Sequence, residues 1–126
     1  MTEKEIDSFE KLQSQMESLH NEISILSKKS QNDALNKFKL KFINKALSDA
    51  NQLLGSIYKP FSDFDLFDES ELPTNSDVAM MLAQYLSCLE KLRSDNIIRD
   101  SAYWYWKIGG KKSDIRTTMP DILKEK

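Results

Sequence analysis

Tyr103, Trp104, Tyr105 and Trp106 stand side by side, and they include both tryptophans of the chain and four of its twelve aromatic residues. Aromatic rings bring a large apolar area and stack well on flat or cationic groups. Such a run is costly to leave in water, so it must be core, an interface or a stacking surface for a ligand. Lys107 and Ile108 follow, and then Gly109-Gly110-Lys111-Lys112. That last group resembles part of a phosphate-binding loop. It lacks the first glycine, the spacing and the Ser/Thr after Gly-Lys that a phosphate cradle requires.

Other residues with reactive chemistry are isolated. His20 is the only histidine and Cys88 the only cysteine, and neither has a sequence-level partner for acid–base or nucleophilic work. The acidic stretch Asp63, Asp65, Asp68, Glu69, Glu71 invites a calcium reading. It fails as an EF-hand loop: the fifth position from Asp63 is Phe67, the sixth is Asp68 instead of glycine, and the twelfth is Thr74. No catalytic, metal or cofactor signature emerges, and the expectation is a protein that is not an enzyme.

The bulk composition frames that expectation. A chain of 126 residues with 40% hydrophobic and 30% charged residues reads as one domain, 1–126, able to build a single core. Three glycines and three prolines point to long helices rather than many tight turns. One cysteine, no signal-peptide pattern and no apolar stretch near 18 residues lead to the expectation of a cytoplasmic protein with no membrane role. Net charge is −2, but residues 61–77 alone sum to −6, while 30–60 and 101–126 each sum to +3. That balance does not favour nucleic acid, although the basic stretches would form one patch if they met in space.

The elements that must position these residues are mainly α. Residues 3–29 read as one helix with Phe9, Leu12, Met16, Leu19, Ile23 and Leu26 at gaps of 3, 4, 3, 4, 3, the alternation of a coiled-coil seam. The flanking positions Gln13, Gln15, His20, Glu22 and Ser27 are poor in charge and encode no partner. A second helix is predicted over about 33–54, capped by Asn32 or Asp33 and stopped at Gly55, with Lys37, Lys41 and Lys45 along one flank. A third is predicted over about 75–95, with Thr74 and Asp77 spaced as a capping box. Between them, 56–74 is a long connection in which acidic and apolar residues interleave.

Residues 97–126 admit two readings. One is a β-hairpin over 102–119, with strands 102–108 and 114–119 and a turn at 109–113. The other is a short helix capped by Asp100 or Ser101 and stopped at Gly109. Aromatic and β-branched enrichment favours the hairpin. As a strand, the run splits by alternation: Trp104, Trp106 and Ile108 on one face, Tyr103, Tyr105 and Lys107 on the other, with Arg116 of the return strand joining the second. The tail 120–126 is expected to be loosely ordered.

Two functional expectations follow. The first is a non-catalytic interaction or regulatory module, homodimeric through Phe9, Leu12, Met16, Leu19, Ile23 and Leu26. It would recognise another protein with Tyr103, Tyr105, Lys107 and Arg116. The alternative is a small nucleic-acid-binding regulator that uses the lysine-rich second helix and the Tyr/Lys/Arg tail.

Overall fold

The computed structural model describes residues 1–124. Three long helices, α1 (Glu3–Ser30), α2 (Lys37–Tyr58) and α3 (Asn75–Asp95), precede a three-stranded antiparallel sheet. Its strands are β1 (Ile97–Asp100), β2 (Tyr103–Ile108) and β3 (Lys111–Thr117), in that spatial order, and a single helical turn, α4 (Asp121–Lys124), closes the described chain. The mainly α architecture with a C-terminal hairpin is as the sequence predicts, with one strand more. No described helix is long and apolar enough to cross a membrane.

Local chemistry sets the helix ends. At the start of α1, Thr2 Oγ1 accepts from the Glu5 amide (3.1 Å) and Glu5 Oε1 accepts from the Thr2 amide (2.9 Å), a complete capping box. These Thr2 contacts, its backbone N–H first, hold the Glu5 carboxyl below the usual carboxylate range. Lys28 and Lys29 occupy the last turn, where the helix dipole favours cations. Thr74 caps α3 by accepting from the Asp77 amide at 3.2 Å.

The second helix starts four residues later than predicted. Ala34 bridges Thr74 in an extended pairing, and the Leu35 amide donates to Pro73 O at 2.8 Å. This pairing draws 33–35 out of the helix, and Asn36 serves as cap, its Oδ1 accepting from the Lys39 amide at 2.8 Å. Gly55 does adopt a positive φ (61°), as a helix-ending glycine would, but the helix resumes beyond this kink to Tyr58.

The acidic connection is a strap tied across α2 and α3. Asn44 Nδ2 donates to Phe67 O (2.9 Å) while Asn44 Oδ1 accepts from the Phe67 amide (3.0 Å). Asn51 Nδ2 donates to Asp65 O (3.0 Å), and Tyr85 O–H donates to Asn51 Oδ1 (2.6 Å). Phe64 and Phe67 turn inward, edge-to-face at 5.1 Å, and the carboxylates face water. Burial pushes the Tyr85 hydroxyl up to about 12, so the folded state holds it neutral. The unfolded chain releases this proton near 10 and the folded chain does not, so stability from this group is complete below 10 and lost as pH rises through 12. Urea midpoints are expected to fall between pH 10 and 12 in the wild type by the equivalent of about 2 kcal/mol. The fall should be much smaller in Tyr85→Phe; equal slopes would remove Tyr85 as the cause.

The N-terminal seam is not free. Phe9, Leu12, Met16 and Ile23 are buried within the single chain, and Leu19 and Leu26 are half-buried against the same core. The expected homodimer seam at Phe9, Leu12, Met16, Leu19, Ile23 and Leu26 is therefore corrected: these residues are the spine of the chain's own core. At 28 residues α1 is longer than α2 and α3, at 22 and 21, and the sheet covers the difference. Phe9, near the start of α1, meets Trp106 of β2 edge-to-face at 5.2 Å, so the sheet extends the core beneath that end.

Candidate functional site

The helix reading of 102–108 is set aside by the structure: these residues pair on both sides. β1 matches Ile98 to Tyr105 and Asp100 to Tyr103; β3 matches Trp104 to Thr117, Tyr105 to Arg116 and Lys107 to Lys112. The predicted five-residue turn is also shorter. Gly109 and Gly110 both take positive φ (60° and 77°), the backbone of a two-residue hairpin turn that glycine adopts without strain. β3 consequently begins at Lys111, and the extra residues between the two pairings are absorbed by a bulge opposite Trp106.

Alternation divides the aromatic run as expected. Trp106 is fully buried, and Trp104, Ile108 and Ile115 pack on the core from the same side. The outer face carries all four predicted partner-binding residues, Tyr103, Tyr105, Lys107 and Arg116. It adds Lys112 and two residues that sequence reasoning missed, Ile98 and Asp100. The Arg116 guanidinium lies 3.7 Å from the Tyr103 ring centre and the Lys112 ammonium 4.5 Å from that of Tyr105. Both contacts run diagonally between strands, a distance long side chains span. Lys112 Nζ also pairs with Asp100 at 3.1 Å, and this bond raises the lysine above its ordinary range. Tyr103 remains 48% exposed and Ile98 is exposed beside Tyr105.

Behind the sheet lies a cleft of about 690 Å³ between α1, α3, β3 and α4, walled by Glu10, Glu17, Glu90, Arg93, Trp106 and Arg116 among others. Arg93, only 4% exposed, is the residue that sequence analysis overlooked. Its Nε and Nη2 donate to the two Glu90 carboxylate oxygens (2.8 and 2.9 Å). Nη1 donates to Thr117 Oγ1 (2.9 Å) and Thr118 O (2.8 Å), and Nη2 also to Met119 O (2.9 Å). The Asp121 amide in turn donates to Glu90 Oε2 at 2.9 Å. Asp121, in the 120–126 tail expected to be loose, is thus tied to α3 and opens α4; the rest of that expected tail beyond Lys124, 125–126, lies outside the described residues.

The single histidine and the single cysteine stand apart from the cleft. His20 exchanges one contact with Ser24 (3.3 Å), and neither it nor Cys88 lines the cleft. Burial pushes the Cys88 thiol up, away from the thiolate a nucleophile needs. Among the described residues no group of three His, Cys, Asp or Glu side chains is placed to hold a metal ion. Comparison with protein-family models, with characterised proteins and with solved structures finds no match to this chain.

Proposed function

We propose that this chain is a non-catalytic interaction or regulatory module that recognises another protein with the outer face of its sheet. One observation carries the reading: Ile98, Tyr103 and Tyr105 form an apolar centre on adjacent strands, ringed by Lys107, Lys112, Arg116 and Asp100. An aromatic centre with a charged rim is the anatomy of a recognition patch, with Tyr and Arg the residue types that most often anchor one. Behind it, buried Trp106 and half-buried Trp104 anchor the strands to the core, so little side-chain order remains to be lost on binding. The rim is net basic, which suits a partner with acidic residues around its contact. The chain's one cysteine fits work in the reducing cytoplasm.

The test compares wild type with Tyr103→Ala/Arg116→Ala in affinity capture from the source cells. The double variant is expected to keep its melting temperature and to lose the proteins that wild type retains. Identical retention by both would remove this face as the site. Recovery of nucleic acid instead, with affinity falling steeply as salt rises, would favour the nucleic-acid regulator.

A further inference from the structure

The dimer surface expected on α1 is spent on the core, but α2 exposes apolar residues that the other described residues leave uncovered. Phe38 is 72% exposed and Phe42 46%, with their rings edge-to-face at 5.1 Å on the outer side of the helix. Lys37, Lys41 and Lys45 stand beside them, and Lys37 and Lys41 have no ion-pair partner among the described residues. The strap presents the opposite chemistry. Residues 61–77 contain six carboxylates and no cation, and Phe61, Leu66 and Leu72 are exposed between them. Of the strap's carboxylates only Asp65 has a cation partner, Lys59, among the described residues.

Among the described residues one copy leaves its own aromatic pair uncovered by the strap. The strap is fixed to α2 at Asn44 and Asn51, and at 3.6 residues per turn these lie about a third to a half of a turn from Phe38 and Phe42. The aromatic pair and the acidic apolar strap are therefore held apart on one rigid element, with the lysines standing between them. We propose that the outer face of α2 docks a second copy of this chain, with Phe38 and Phe42 of one copy seated against the acidic strap 61–72 of the other. Charge complementarity between lysines 37–45 and the strap selects a like chain as the occupant, and the two phenylalanines supply the desolvated anchors.

Light scattering across roughly 1–500 µM, the range of modest association, is the first measurement. The mass is expected to rise from 14.6 kDa toward twice that value. Phe38→Ser/Phe42→Ser should weaken association about 30-fold or more, the loss expected of anchor residues, with the melting temperature kept. Lys37→Glu/Lys41→Glu and Asp63→Lys/Glu69→Lys should each be monomeric alone and should associate when mixed. Tyr103→Ala/Arg116→Ala should associate as wild type does, which separates this test from that of the sheet face. A wild type monomeric throughout, a double-serine variant that assembles normally, or a charge-swapped mixture that stays monomeric would overturn the proposal.

Discussion

Trp106→Ala is expected to destabilise the protein by about 3–5 kcal/mol, the cost of truncating a large aromatic in a packed core. Its ring has no exposure and closes the core over Phe9 at 5.2 Å. Domains of this kind have only about 5–15 kcal/mol in total, so the variant should unfold at far lower urea and bring sheet and helices down together. Tyr105→Ala, one residue away on the opposite face, gives up a cation–π contact with Lys112 and the covered part of a half-buried ring, but no core position. It should cost about 1 kcal/mol or less. Chemical denaturation of the two variants side by side decides the matter, and equal losses would mean that the alternating division of the run is wrong. Trp106→Phe is the informative intermediate. The indole Nε1 has no hydrogen-bond partner although it is buried, so this change removes an unsatisfied donor along with some volume. It should therefore cost much less than the alanine variant.

That division of the aromatic run was legible in the sequence because alternation is a property of any strand, whatever its neighbours. The existence of β1 was not. Ile97-Ile98-Arg99-Asp100 is only four residues long and follows α3 with no glycine or proline between. Its turn is also disguised. Ser101 takes a positive φ of 60°, where Asn or Gly would have signalled a hairpin. Missing β1 meant missing Ile98, Asp100 and half the context of the outer face. The α1 seam shows the opposite failure. The 3-4 spacing of Phe9 to Leu26 identifies an apolar stripe, but spacing cannot say which chain covers it. The cover came partly from a sheet far along the chain, a contact that no local pattern records. The start of α2 moved for a similar reason, since the bridge between Ala34 and Thr74 joins residues forty apart.

Arg93 is the sharpest case of a residue whose role only the assembled fold defines. In a helix pattern an arginine near the C-terminus reads as a solvated end favoured by the dipole. Here all five guanidinium N–H donors are used: two on Glu90, one on Thr117 Oγ1, and one each on the carbonyls of Thr118 and Met119. Replacing it by methionine keeps much of the volume but leaves three acceptors and the largely buried Glu90 carboxylate without their cation at the wall of the cleft. Breaking a buried pair this way costs about 3–5 kcal/mol, mostly through the charge left behind. Arg93→Met should therefore destabilise strongly, and hydrogen exchange should show residues 118–124 losing protection first, because three of their ties to α3 run through this side chain and Glu90, which it orients, makes another. Arg93→Lys keeps the charge but has three donors for five positions, so it should recover only part of the loss. In a Glu90→Met background the Arg93→Met change should cost clearly less, since the orphaned carboxylate is gone. An Arg93→Met variant within about 1 kcal/mol of wild type would fall in the range of an exposed pair and would refute the staple.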